Sequence, residues 1–325
     1  MQMTMIEALN QALALELERD KRVVIFGEDI GANGGVFRVT EGLQRKFGEQ
    51  RVFDTPLAES GIIGTSVGMA VYGLRPIAEI QFAGFLFVSM NQLLSQATRM
   101  RFRSGGAYEC PLVVRAPYGG GVRTPELHSD SIEGLFLQSP GFKVIIPSNP
   151  YDAKGLLASA VADPEPVILL ENIKLYRSFR QDVPEDYYTI PLGEAKVVQE
   201  GQDVTVMAYG AMVQVVLEAA KKAQQESGIS AEVIDLRTIW PLDEEAIVNS
   251  VTKTGRAVIV HEAPKAGGVG AEVTAIINEK CLFSLLQPVA RVTGYDTPYP
   301  VPGQEDYYVP NAAKVLDAIQ RVMEP

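Results

Sequence analysis

The chain has 325 residues, more than a single core usually absorbs, so two domains of ordinary size are expected. Hydrophobic residues make up 46% and charged residues 21%, enough for a large core and far from a disordered composition. A formal charge of -11 argues against sequence-independent attraction to nucleic acid or to an anionic membrane surface, and favours a basic protein partner.

Thr4 followed by Glu7 has the pattern of a capping box, and Ile6, Leu9, Leu13 and Leu17 recur at helical spacing, so the first element is an amphipathic helix. Short β-branched runs then alternate with helical stretches. Residues 23–26, 76–82, 112–116, 143–146 and 167–170 are expected to be buried strands; 60–72, 87–99 and 151–162 are expected to be helices. Pro150 suits the first turn of the last of these. Residues 176–202 are rich in charge, proline and tyrosine and have no sustained apolar period, which places the interdomain linker there. A second alternation follows, with strands at 204–208, 231–236, 257–260 and 289–293 and helices at 213–225, 244–251, 269–282 and 312–323. The expected fold is α/β with two doubly wound domains, residues 1–188 and 189–325.

Several chemistries lack their signatures. Gly119–Gly121 and Gly267–Gly270 do not spell the dinucleotide fingerprint, and there is neither a phosphate loop ending in Gly-Lys-Ser/Thr nor a Gly-x-Ser-x-Gly elbow. Cys110 and Cys281 are the only cysteines and lie far apart, which offers no metal knuckle or disulfide framework and points to a reducing, cytoplasmic compartment. The first ten residues carry no basic region followed by an apolar stretch, and Glu79 and Gln81 interrupt the most apolar mid-chain segment below membrane-spanning length.

Gly27-Glu28-Asp29-Ile30-Gly31, Asp54-Thr55-Pro56-Leu57-Ala58-Glu59-Ser60-Gly61, Glu79-Ile80-Gln81-Phe82, His128-Ser129-Asp130-Ser131 and Pro150-Tyr151-Asp152-Ala153-Lys154-Gly155 occur in this order. Together with Ala208-Tyr209-Gly210 and Asp235-Leu236-Arg237-Thr238 they resemble, in order and spacing, the beta subunits of thiamine-diphosphate-dependent 2-oxo acid dehydrogenases, the pyruvate and branched-chain types. The resemblance covers essentially the whole chain. It implies an N-terminal pyrimidine-binding domain and a C-terminal transketolase-like domain, in an alpha-two beta-two heterotetramer whose alpha subunit grips the cofactor's diphosphate through magnesium. That division accounts for the missing Gly-Asp-Gly segment with which thiamine enzymes hold magnesium.

By the same resemblance Glu59 is the carboxyl that hydrogen-bonds the cofactor's pyrimidine ring and promotes loss of the thiazolium proton, with burial expected to raise its pKa. Without the surrounding motif, Glu59 would be an ordinary first-turn glutamate interacting with the helix dipole. His128 is one of two histidines, in a loop between a predicted strand and a helix expected to begin near Ser131, where ligands meet open α/β sheets. Its implied role is to hydrogen-bond substrate or the incoming lipoyl group and to move a proton. Glu28, Leu57, Gln81 and Phe85 are assigned to the pyrimidine pocket, Phe85 as a stacking face; core packing is the plainer reading for Leu57 and Phe85. Potassium held by backbone carbonyls would match Leu112, Ala160, Val161, Asp163 and Glu165. His261 is read as structural or interface-forming, and Trp240 as packing.

The implied reaction is decarboxylation of a 2-oxo acid followed by reductive acylation of a lipoyl domain on a dihydrolipoyl acyltransferase core. Thr124-Pro125-Glu126-Leu127-His128 looks more like the pyruvate type; Ala83 is smaller than expected there and keeps a branched-chain or acetoin substrate open. A single-chain transketolase-like enzyme would need its own diphosphate-binding domain, for which this length leaves no room. A non-catalytic scaffold subunit of the same fold is the rival from another class.

Overall fold

The computed structural model describes residues 1–324. The first helix spans Met5–Arg19, and its capping box is formed: the Thr4 amide donates to Glu7 Oε2 at 2.7 Å and the Glu7 amide to Thr4 Oγ1 at 3.4 Å. Its apolar face, including Leu9, Leu13 and Leu17, is buried, and it packs on the helix Pro150–Ala162. That second helix starts as Pro150 predicts, with the Asn149 side chain accepting from the Asp152 amide at 2.9 Å.

Fourteen strands are formed among the described residues. They are β1 (Gln2–Met3), β2 (Val23–Gly27), β3 (Val52–Asp54), β4 (Arg75–Glu79), β5 (Val113–Tyr118), β6 (Lys143–Ile145), β7 (Val167–Asn172), β8 (Gln181–Asp182), β9 (Lys196–Gln199), β10 (Val204–Ala208), β11 (Ala231–Asp235), β12 (Thr238–Trp240), β13 (Ala257–Pro264) and β14 (Ala290–Gly294). Seven make one sheet in the order β12-β6-β7-β5-β4-β2-β3, parallel except for β12; five make another in the order β14-β13-β10-β11-β9, parallel except for β9. β1 and β8 pair separately. β2, β5, β7, β10 and β11 are buried along their whole length, because helices cover both faces of a parallel sheet, and this is why they read as continuous apolar runs rather than alternating ones.

The structure departs from the expected elements at four places. The expected helix 87–99 is broken into 3₁₀ turns Ala83–Ser89 and Ala97–Arg99 with a π-helical turn Gln92–Gln96 between them, then a single α-turn Met100–Arg103. The backbone here must pass close to another loop: a Cβ at Gly84 would lie 2.3 Å from the Leu127 carbonyl oxygen. The strand expected at 76–82 leaves the sheet after Glu79, which turns Gln81 and Phe82 outward from its end. The helix expected near Ser131 is one turn, Gly134–Leu137. The 176–202 segment is not plain linker, since β8 pairs with the N-terminus and β9 becomes an edge of the second sheet.

β12 comes from the second half of the chain and is hydrogen-bonded into the first sheet beside β6. Around this crossing the Arg237 guanidinium makes a two-pronged pair with Asp152, Nη2 to Oδ1 at 2.6 Å and Nε to Oδ2 at 3.0 Å, and Tyr209 Oη donates to Glu133 Oε1 at 2.8 Å. The halves are thus joined by buried polar pairs and by a shared sheet. At the centre of the first sheet, Arg115 on β5 donates to Glu171 Oε1 at 2.6 Å and Oε2 at 2.8 Å, and to Glu79 Oε2 at 2.6 Å, all three side chains being buried.

Candidate active site

Strand ends of the seven-stranded sheet assemble the expected residues. Gly27 closes β2 against β4, where a Cβ would stand 2.3 Å from the Glu79 carbonyl oxygen, and Asp29 turns the chain with φ 58°. Glu28 is thereby placed inward. It is 5% exposed, and neither carboxylate oxygen has a hydrogen-bond partner. Burial, and then the neighbouring charges of Glu59 and Asp29, push its pKa up to about 7. An orphaned buried carboxyl that is half protonated near neutrality can donate or accept, and it suits a ligand presenting both an amine and a ring nitrogen.

Glu59 is the first residue of the helix Glu59–Val71, whose N-cap, Ala58, offers no side-chain cap. It is half-buried, so the burial expected from the sequence is not supplied by this chain. Within the pair, Glu28 is the more deeply buried carboxyl.

Gln81 and Phe85 follow β4, half-buried; Gln81 Nε2 reaches Asp29 Oδ2 at 3.4 Å. His128 lies in the loop after β5 and rests on two aromatic rings, with centroid separations of 4.3 Å to Phe82 and 5.2 Å to Phe85. Its Nδ1 is 2.7 Å from the Glu126 carbonyl oxygen. A carbonyl only accepts, so Nδ1 carries the hydrogen and Nε2 is left to exchange a proton. Leu57 stands apart from these residues, 80% exposed in the turn before the Glu59 helix, which excludes core packing for it.

The corner assigned to potassium is engaged by protein donors. Arg75 Nη1 donates to the Val161 carbonyl and reaches the Asp163 carbonyl at 3.4 Å; the Leu112 carbonyl accepts from the Val167 amide at 2.9 Å, and that of Ala160 from the Asp163 amide at 3.3 Å. The Asp163 carboxylate pairs with Lys143 and that of Glu165 with Arg101. Two of the five carbonyls assigned to potassium are thus reached by the Arg75 guanidinium.

Phe82 and Asp29 belong to the site and were not singled out from the sequence, although both lie inside the quoted motifs. Glu262 and Glu305, which grip the loop that carries His128, had no local signal, being 142 and 184 residues from the amides they bind. His261 is fully buried, with Gly268 and Gly270 pressed against its ring, and burial pushes its pKa down to about 4. Beside the His128 loop a cavity of about 430 Å³ opens between the two halves, lined by Phe87, Leu127, Asp130, Tyr299 and Tyr308 among others.

The pyrimidine-binding domain family of transketolase matches residues 1–178, and the transketolase C-terminal domain family matches residues 193–315. The chain is 55% identical over 323 residues to the pyruvate dehydrogenase E1 component subunit beta of Bacillus subtilis, covering 99% of each chain. It is 54% identical to the subunits of the same name from Staphylococcus epidermidis and Staphylococcus aureus, again over 99% of each chain. Among solved structures, a split-gene transketolase described as an inactive beta4 tetramer superposes with a TM-score of 0.81 at 24% identity, over 99% of this chain and 98% of that one, which establishes the shared fold. Two matching domain families and full-length identity above half leave one assignment: the chain belongs to the transketolase-type family of pyruvate dehydrogenase E1 component beta subunits.

Proposed function

We propose that this chain, assembled with a separate alpha subunit as an alpha-two beta-two heterotetramer in the cytoplasm, supplies the pyrimidine half of a thiamine-diphosphate site. That site decarboxylates pyruvate and passes the acyl group to a lipoyl domain of a dihydrolipoyl acyltransferase core. The observation that carries this reading is the orphaned, buried Glu28 beside Glu59, with His128 held on the Phe82 and Phe85 rings at the ends of parallel strands.

Bound thiamine diphosphate supplies a nucleophilic carbon and an electron sink. Glu59 and Glu28 hold the aminopyrimidine, and near neutral pH Glu28 is poised to share a proton with it. Phe85 gives the ring an apolar wall, and Gln81 fixes Asp29 at the turn that brings Glu28 inward. Leu57, exposed here, would complete the pocket from the surface that meets the alpha subunit. Magnesium and the diphosphate fall to the alpha subunit, because this chain has no Gly-Asp-Gly segment. In the lipoyl step His128, doubly protonated so that Nε2 as well as Nδ1 carries a hydrogen, would give the Nε2 proton to the sulfur released when the cyclic disulfide opens. The net charge of -11 suits docking to a basic segment of the acyltransferase core.

Ala83, buried and small beside Phe82, is the feature that favours a second reading, in which the pocket takes a bulkier 2-oxo acid. Co-expression with the alpha subunit, followed by decarboxylation assays with pyruvate, 3-methyl-2-oxobutanoate and acetoin, separates the two. The highest kcat/KM is expected for pyruvate; a preference for the branched acid would reassign the substrate, and no activity on any of the three would favour a scaffold.

A further inference from the structure

The loop from Gly119 to Asp130, which carries His128, is built from unfavourable backbone. Gly119, Gly121, Arg123 and Leu127 all have positive φ, at 84°, 90°, 57° and 63°. Arg123 and Leu127 have side chains that disfavour this region, so the conformation persists only if its surroundings hold it.

The holding groups belong to the second half of the molecule. Glu262 Oε2 accepts from the Gly120 amide at 2.8 Å; Glu305 Oε1 accepts from the Gly121 amide at 2.7 Å and its Oε2 from the Arg123 amide at 3.0 Å. Tyr299 Oη donates to Glu305 Oε1 at 2.5 Å and presses on Gly120, where a Cβ would lie 1.7 Å from it. Glu305 is 2% exposed. Two loop amides and one phenol are its hydrogen-bond donors among the described residues, so its buried carboxylate is satisfied only while the loop stays in place. At the other end, the Leu127 carbonyl abuts Gly84, and Phe82 and Phe85 hold the imidazole. The loop is gripped at both ends, once by each half.

We infer that Glu305, seconded by Glu262, is a positioning residue that clamps the His128 loop from the C-terminal half and so sets the imidazole over its aromatic seat. The inference rests on the proposed role of His128, but the clamp itself can be tested without it.

The test is Glu305→Gln in the assembled alpha-beta heterotetramer, alone and with His128→Ala. A glutamine cannot accept from both amides, and losing one charge-assisted bond should speed hydrogen exchange of the amides in 119–128 by about tenfold. Reductive acylation of a lipoyl domain should fall by about tenfold in kcat, with exchange of the thiazolium proton within about twofold of the parent and no further loss of acylation when added to His128→Ala. A general structural lesion would instead add its full effect in the double variant, which would overturn the positioning role. Unchanged exchange of the loop amides would overturn the clamp. Faster exchange with undiminished acylation would overturn the link to chemistry; if His128→Ala is then equally silent, the failed assumption is the role of His128, not the clamp. Should Glu305→Gln fail to assemble, Tyr299→Phe removes one donor to the same carboxylate and is expected to raise loop exchange by a smaller factor; no change there would also overturn the clamp.

Discussion

Around the five-stranded sheet the helices Met212–Ser227, Glu244–Thr254, Val269–Cys281 and Ala312–Met323 are regular, and the first two end in left-handed glycines, Gly228 and Gly255. Around the seven-stranded sheet, by contrast, regular helices share the chain with the long 3₁₀ run Ala83–Ser89 and the π turn Gln92–Gln96. Four of the five non-glycine residues with positive φ, Asp29, Arg38, Arg123 and Leu127, also lie there. Both sheets are parallel but for one edge strand and both are covered by helices, so the difference is not one of architecture. On the proposed function it follows from what the strand ends carry: the first sheet's ends hold the carboxylates and the imidazole assigned to the site, and irregular backbone is retained where side chains must be aimed. From the second half, Glu262 on β13 and Glu305 on the short helix Glu305–Tyr308 reach across to hold the first sheet's loop.

The comparison breaks if the aimed side chains prove dispensable. Glu59→Gln keeps the shape but cannot exchange a proton in the same way, and should slow thiazolium proton exchange by about 10²–10⁴-fold with assembly intact; near-parental exchange would remove Glu59 from the chemistry. Arg115→Met should cost about 3–5 kcal/mol by leaving Glu79 and Glu171 buried without their cation, read from urea midpoints; a neutral result would show the triad to be replaceable by packing. For His128→Ala, reductive acylation should drop by about a hundredfold while decarboxylation with an artificial electron acceptor loses much less, measured on one assembled variant. Equal small losses would move the proton source to the alpha subunit.

The next expectation concerns pH. The folded pKa of Glu28, about 7, lies above the ordinary 4.5, so the native state holds its proton longer than the unfolded chain does. Its cost is absent below pH 4.5, grows as pH rises through the interval and is complete above 7. Glu28→Gln removes that cost, so its stability relative to the parent should rise by about 1–3 kcal/mol between pH 5 and 8 in the cofactor-free protein. A difference independent of pH would mean that Glu28 titrates normally. The smallest effect should come from the regular half: Lys280→Ala breaks an exposed pair with Glu244 and should change stability by less than about 0.5 kcal/mol.

Much of this was legible in order along the chain. The Thr4 and Glu7 cap, the start at Asn149 and Pro150, and the last helix, observed at Ala312–Met323 as expected, are set by contacts within a turn or two, so local spacing and composition suffice. The buried strands announced themselves as β-branched runs, and the motifs named the residues that meet at the strand ends. Three features were decided only by the tertiary structure. β12 joins the first sheet from the second half, and nothing in Thr238–Trp240 distinguishes that neighbour from any other. The 87–99 segment is expected to be one helix, yet it forms 3₁₀ and π turns beside the point where Gly84 lies against the Leu127 backbone. Glu262 and Glu305 look like ordinary acids until folding brings the amides of Gly120, Gly121 and Arg123 to them. Periodicity and caps report interactions along the chain; a carboxylate's worth depends on which donors fold against it and how much water they exclude, and that is settled only when distant segments pack.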